Sequence, residues 1–210
     1  MYEINTTNNI KLIAFDLFGV IFSEGHLISN VLMQLLPVNC DKSLVKSLYE
    51  NFNTGNISEA EFWHPLGFTD YKIIRQTFLQ SFKLDKDLQS VVNKLKPVYQ
   101  LSILSNLPPD WADSLLELHQ FEQTFSPQIF SGHVECKKPQ PEIYRILLAQ
   151  SGISAEHIVF IDDRLENLQT AHELGLKTVY LRREKETQEY RAEYKIDRLA
   201  ELPGLEIFTA

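Results

Sequence analysis

Asp16 stands alone inside an apolar run, Leu12-Ile13-Ala14-Phe15-Asp16-Leu17-Phe18-Gly19-Val20-Ile21-Phe22. A carboxylate in such surroundings costs several kcal/mol unless a cation, hydrogen-bond donors or water meets it. Two readings fit Asp16 taken by itself: a cap on a turn at a strand end, or a residue at the carboxyl end of a parallel strand, where open α/β sheets place their chemistry. Three further segments share the second context. Ser105-Asn106 follows the apolar stretch ending at Leu104, Asp162-Asp163 follows Ile158-Val159-Phe160-Ile161, and Lys138-Pro139 precedes a Pro-led helix. Each has a plain reading of its own, as a common turn, a helix cap and a surface lysine respectively. Placement of all four at one sheet edge favours a site. Asp16, Asp162 and Asp163 in one crevice raise one another's pKa unless a cation stabilises the ionised forms. Oxygen-only ligands with no Cys or His nearby suit a hard ion, and partial hydration suits magnesium.

The elements that must position these residues are legible from hydropathic spacing. A first strand is expected over about residues 11–16. The chain then reads as helix almost to residue 96. His26 to Leu36 carries apolar residues at 27, 28, 31, 32, 35 and 36, which is helical spacing. Asp41 looks like the cap of a helix running through Phe52, Ser58-Glu59-Ala60-Glu61 has the form of a capping box, Asp70 opens a fourth helix, and Asp87 to Leu95 gives a fifth. From residue 98 strands and helices alternate: strands near Val98–Leu104, Pro127–Phe130, Ile158–Ile161 and Lys177–Leu181, with helices between them closed by Gly152 and Gly175. Such alternation implies a doubly wound parallel sheet, an α/β Rossmann-like core. Residues 1–21 and 86–210 are assigned to this core. Residues 22–85 are assigned to a helical cap inserted after the first strand, at the sheet's carboxyl edge, where a lid is expected.

The chain has 210 residues, 44% of them apolar and 23% charged, as in an ordinary globular protein. Its formal net charge of −8 argues against nucleic acid and anionic membrane surfaces as partners. No apolar stretch is long enough to span a bilayer, and the N-terminus lacks a signal-peptide pattern. Cys40 and Cys136 are far apart and in no metal-ligand spacing, so a reduced, cytoplasmic protein is expected.

With these residues in place, the chain resembles the haloacid dehalogenase superfamily over nearly its whole length, with the family's small helical (C1-type) cap. Phe15-Asp16-Leu17-Phe18-Gly19-Val20 matches the nucleophile motif, Ser105 the strand-ending Ser or Thr, Lys138-Pro139-Gln140-Pro141 the lysine motif, and Asp162-Asp163 with Asn167 the acidic motif. The resemblance implies that Asp16 attacks phosphorus to give an aspartyl-phosphate that water hydrolyses. It implies magnesium held by Asp16, the backbone carbonyl of Phe18 and Asp163, with Asp162 and Asn167 in support and Asn167 holding a metal-bound water. Lys138 would neutralise Asp16 and the phosphate oxygens, and Ser105, Asn106 and nearby amides would hold those oxygens. The substrate implied is a small phosphorylated metabolite, such as a sugar phosphate.

One position departs from the family pattern. Its phosphatases usually carry a second Asp two residues after the nucleophile, as general acid and base; here that residue is Phe18. Three readings follow. One is a phosphatase for good leaving groups, or one with a substitute acid, Glu24 and His26 being nearest. The second is a 2-haloacid dehalogenase, which needs no metal but uses a cap arginine; Arg75, the one arginine in the cap, falls deep in its fourth helix. The third is a weakly active or non-catalytic binding protein. Most cap aromatics read as its core; for Trp63-His64, near the break at Pro65-Leu66-Gly67, facing the site is the alternative to that core reading. Lys137 and the run Arg182-Arg183-Glu184-Lys185-Glu186 read as solvated.

Overall fold

β1 (Leu12–Phe15) is buried along its whole length, as a strand covered by helices on both faces must be. Ile13 and Phe15 point into one apolar layer, and Leu12 and Ala14 into the other, against Phe160 and Tyr144. In a computed structural model, residues 9–183 and 190–208 are described. The N-terminal tail to Asn8 and Glu184-Lys185-Glu186 lie outside the described residues.

β1 pairs with β2 (Gln100–Ser105) on one side and β4 (Ile158–Asp162) on the other. β3 (Gln128–Phe130) flanks β2, β5 (Lys177–Leu181) flanks β4, and β6 (Tyr194–Ile196) closes the far edge. All pairs are parallel and the order is β3-β2-β1-β4-β5-β6. The order reverses direction between β1 and β4, and ligands of open α/β sheets bind at such a switch point. Phe15 is in register with Ile103 and Ile161, so Asp16, Ser105 and Asp162 emerge at the same carboxyl edge. β6 was not expected from sequence, since three residues are too few to show a period.

The helices are α1 (Met33–Leu35), α2 (Lys42–Phe52), α3 (Glu59–Trp63), α4 (Lys72–Gln80), α5 (Leu88–Leu95), α6 (Pro109–His119), α7 (Ser131–Val134), α8 (Pro141–Ser151) and α9 (Leu165–Glu173). Asp41 caps α2 by accepting from Ser43 N at 2.8 Å, and the Ser58–Glu61 capping box opens α3. The helix expected from His26 is widened to π geometry over Leu27–Leu32 before α1. α4 starts at Lys72 rather than Asp70, with Tyr71 at the N-cap position and no side-chain cap. Among the described residues no helix is long and apolar enough to cross a membrane.

The helical segment between β1 and β2 is fastened to the core at several points, two of them its ribbon and Glu59. Its entering and returning arms form a ribbon: Ser23 N donates to Lys83 O at 3.0 Å and Asp85 N to Ile21 O at 2.8 Å. Arg183, expected to be solvated, instead clamps this ribbon. Its Nε donates to Gly19 O and its guanidinium meets Asp85 Oδ2, each at 2.8 Å. The second fastening is Glu59, which accepts from Trp63 Nε1 at 3.1 Å, Trp111 Nε1 of α6 at 3.0 Å and Arg75 at 2.9 Å. Phe52, Phe62, Trp63 and Trp111 pack around it with ring centroids 4.9–6.1 Å apart.

Candidate active site

Asp16 follows β1 at once, and its Oδ1 is held by three donors: Leu17 N at 2.7 Å, Ser105 Oγ at 2.7 Å and Lys138 Nζ at 2.8 Å. These contacts fix the carboxylate plane and leave Oδ2 as the oxygen without a hydrogen bond from these groups. Lys138 also meets Asp162 Oδ2 at 2.7 Å, and its ammonium lies 5.1 Å from the centre of the Phe160 ring. Burial by itself lowers the pKa of the Lys138 ammonium, but the Asp16 and Asp162 carboxylates outweigh it, and the net shift is upward. Lys138 is therefore charged and committed.

Asp162 ends β4 without exposure to solvent. Arg164 N donates to its Oδ1 at 2.8 Å, and Asn167 Nδ2 reaches both its oxygens at 3.0 and 3.1 Å. Burial pushes the Asp162 carboxyl up to about 6 even against the opposing pull of Lys138. Asp163 is pushed up to about 8, by burial first and then by the charges of Asp162 and Asp16. Its carboxylate lies against Gly19, whose φ is +80°, and against Gly25; a Cβ at either position would overlap it. Only glycine allows both loops to close on Asp163.

Asp16, Asp162 and Asp163 each offer an oxygen within 4.8 Å of the others. Asp163 Oδ1 is buried and has no hydrogen-bond partner among the described residues. Buried carboxylate oxygens rarely stay unmet, and an all-oxygen donor set fits a hard divalent cation. The residues present therefore fit magnesium.

The structure brings Asp16, Phe18, Ser105, Asn106, Lys138 and Asn167 to one cavity of about 570 Å³. Three of these side chains make protein contacts that the sequence did not indicate. Asn106 spends both ends of its amide on the Lys138 backbone, donating to Lys138 O at 2.9 Å and accepting from Lys138 N at 2.8 Å; it orients the lysine loop. Asn167 grips Asp162 directly, where a water-holding role was expected. Ser105 donates to Asp16 itself. Of the substitute acids, His26 lines the cavity. Glu24 does not line it; its Oε1 accepts from His26 N at 2.7 Å and Asn30 Nδ2 at 3.2 Å, holding the turn.

From the insert, α2 faces the cavity with Lys42, Lys46, Tyr49 and Glu50, and Asn53 follows on the same side. That spacing of four, three, one and three residues is one helix face. Trp63 and His64 do not line it: Trp63 is buried on Glu59 and His64 is exposed beside Tyr71. The α2 face could have been found in the sequence, because Lys42, Lys46 and Glu50 recur every four residues beside the buried stripe of Val45 and Phe52. Lys137, expected to be solvated, pairs with Glu50 across the cavity.

A family model described as haloacid dehalogenase-like hydrolase matches residues 13–181. The chain belongs to that family. This hydrolase is 28% identical over 182 residues to a sesquiterpene phosphatase of Aspergillus oryzae, covering 81% of this chain and 89% of that one. Its fold matches a HAD family enzyme of Bacteroides thetaiotaomicron crystallised as a magnesium complex (22% identity, TM-score 0.69, 87% and 96% of the two chains). It also matches a 2-haloacid dehalogenase of Pseudomonas syringae (16% identity, TM-score 0.71, 93% and 97%). At these identities the two solved structures speak for the fold alone.

Proposed function

We propose that this hydrolase removes phosphate from a small phosphorylated metabolite through a covalent intermediate on Asp16, with magnesium as cofactor. The observation that carries the reading is the asymmetry of Asp16: Oδ1 takes all three donors, which leaves Oδ2 as nucleophile in front of the cavity. Its attack on phosphorus breaks the bond to the leaving oxygen and forms an acyl phosphate. Water then attacks the same phosphorus, releasing phosphate and restoring Asp16. Lys138 holds Asp16 Oδ1 in place. Asn106 fixes Lys138, and Asn167 with Arg164 N fixes Asp162. Magnesium, bound by Asp16, Asp163 and the Phe18 carbonyl, would offset the repulsion between the anionic nucleophile and phosphate. Residues 22–85 act as the cap that selects the substrate.

The dehalogenase reading is weaker. Arg75 is engaged by Glu59 and does not line the cavity, so it is not placed as the cap cation that reaction uses. Similarity to a phosphatase over most of both chains also favours phosphate chemistry. The free thiols Cys40 and Cys136 support a reducing, cytoplasmic setting.

A turnover screen over phosphate esters, with magnesium and with chelator, tests the proposal. Phosphate release that needs magnesium is the expected result. Activity indifferent to chelator, or halide release from a short 2-haloacid, would overturn it.

A further inference from the structure

The cavity above Asp16 holds more positive charge than its own anions engage. Lys138 is held by Asp16 and Asp162, and Lys137 by Glu50. Lys42 and Lys46 of α2 line the same cavity and have no ion pair with any described residue. Arg164, also on the lining, makes no side-chain hydrogen bond to a described residue; the Asp163 carboxylate is its foremost charged neighbour. The opposing acids are Glu50, already engaged by Lys137, and Asp163, Asp16, Asp162 and Glu166, which face Arg164 on the core side and leave Lys42 and Lys46 as the unmatched cations. Asp41, next to Lys42, is turned to Ser43.

α2 runs away from the core along this lining. Asn53, just past its end, is tied down by Ser131 Oγ, which donates to Asn53 O at 2.6 Å. At about 1.5 Å per residue, Lys46 and Lys42 stand about 10 and 16 Å along the axis from Asn53. Two lysines on a chain of net charge −8 thus line the cavity that also holds Asp16.

Phe18 adds an independent constraint. A site with no acid in that position favours a leaving group that departs unprotonated. A phosphate monoester does so readily, because its second pKa is only about 6, and its charge is what Lys42 and Lys46 are free to meet.

We propose that the substrate carries a second anionic group on the leaving side, and that this group is a phosphate: the substrate is an organic diphosphate whose terminal phosphoryl passes to Asp16. This rests on the reading of Asp16 given above. Asp16 Oδ2 bonds to the terminal phosphorus and the bridging P–O bond breaks. The electron pair stays on the bridging oxygen of the departing monoester, which needs no proton. Water then cleaves the acyl phosphate, so that diphosphate ester plus water gives monoester plus phosphate.

The test compares kcat/KM for hexyl diphosphate, hexyl phosphate and 6-carboxyhexyl phosphate, in the parent and in the Lys42→Met/Lys46→Met variant. Both positions are exposed on a helix, so the variant keeps its fold. The diphosphate is expected to exceed hexyl phosphate by about 100-fold, and the variant to reduce that ratio about 10-fold, the scale of charge-assisted hydrogen bonds. Equal rates for the three esters, or a ratio unmoved by the variant, overturn the inference. A preference for the carboxylate ester over the diphosphate overturns the choice of phosphate. A second arm needs no turnover. The Asp16→Asn protein is titrated calorimetrically with inorganic pyrophosphate and with phosphate at fixed free magnesium, with and without the two lysines. Tighter pyrophosphate binding that is lost with the lysines supports the anion site, and equal affinities overturn it. If no ester is hydrolysed, the function proposed in the preceding section fails, while this binding arm still decides the second-anion site.

Discussion

Phe18 meets Phe82 edge to face, with ring centroids 4.9 Å apart. Phe22 stacks on Phe18 at 5.6 Å, and Phe18 is only 7% exposed. The position two residues after Asp16 is thus a packing joint between the loop that carries the nucleophile and the returning arm of the insert. An aromatic ring there replaces an acid and also ties the two arms together.

With no proton donor at that position, activity is expected to fall steeply as the leaving group becomes more basic. The acyl phosphate on Asp16 should live long enough to be caught by rapid acid quench. Phe18→Asp should flatten the leaving-group dependence, but at a cost in folding stability of about 3–5 kcal/mol, the usual price of removing a buried Phe. A urea titration measures that cost. Similar chemical-step rates for alkyl and aryl esters, with nothing trapped, would point to another acid, and His26 is then the residue to replace.

Asp16→Asn should lower turnover by at least about 10⁴-fold with little change in the unfolding midpoint. The Asn oxygen still accepts from Leu17 N and Ser105, and Lys138 keeps Asp162 as its partner. Turnover near the parent level would remove the covalent mechanism.

In chelator, Asp163 sets a pH dependence of stability. Its carboxyl is raised from 3.8 to about 8, so its contribution to folding is fully present below about pH 4 and is lost as pH rises through about 8. Asp163→Asn removes this loss. In chelator the variant should gain on the parent steadily from pH 4 to pH 8 in thermal unfolding. With magnesium at pH 8 the order should reverse, because only the parent can offer the metal a carboxylate. Parallel curves in chelator would show that Asp163 is not perturbed.

Metal affinity should separate two neighbours in the acidic motif. Asp163→Ala is expected to weaken magnesium binding at least about 10-fold more than Asn167→Ala, as followed by calorimetry. Asn167 donates to Asp162, which retains Lys138 and Arg164 N without it. Comparable losses would make Asn167 part of the coordination sphere.

Glu59 should matter for folding and not for chemistry. Glu59→Ala leaves the two indole N–H groups of Trp63 and Trp111 without their acceptor and Arg75 without its partner. A loss of about 2–3 kcal/mol is expected, with KM and kcat for the surviving protein near the parent's. A large fall in kcat at unchanged stability would give Glu59 a role in the site.

The sheet and its edge were legible because buried parallel strands are written as unbroken apolar runs. Asp16, Ser105 and Asp162 each interrupt or end one of those runs, and capping residues such as Asp41 and Ser58 sign their helices locally. What could not be read was contact between distant segments. Nothing near Arg183 in sequence indicates Gly19 or Asp85, and nothing near Asn106 indicates the Lys138 backbone. The same limit left Trp63-His64 open between core and site: an aromatic pair beside a Pro-Leu-Gly break fits either until Glu59 and Trp111 are seen to enclose Trp63.

The fastening of the insert away from its ribbon has a consequence for traffic. A panel secured only by the ribbon at residues 21–23 and 83–85 could swing about it like a door. Glu59 on Trp111 is a second rivet, away from that axis, and any swing must shear it. Swinging the insert open would therefore first have to break the Trp111 hydrogen bond, so the insert resists opening on its far side as well as at the ribbon.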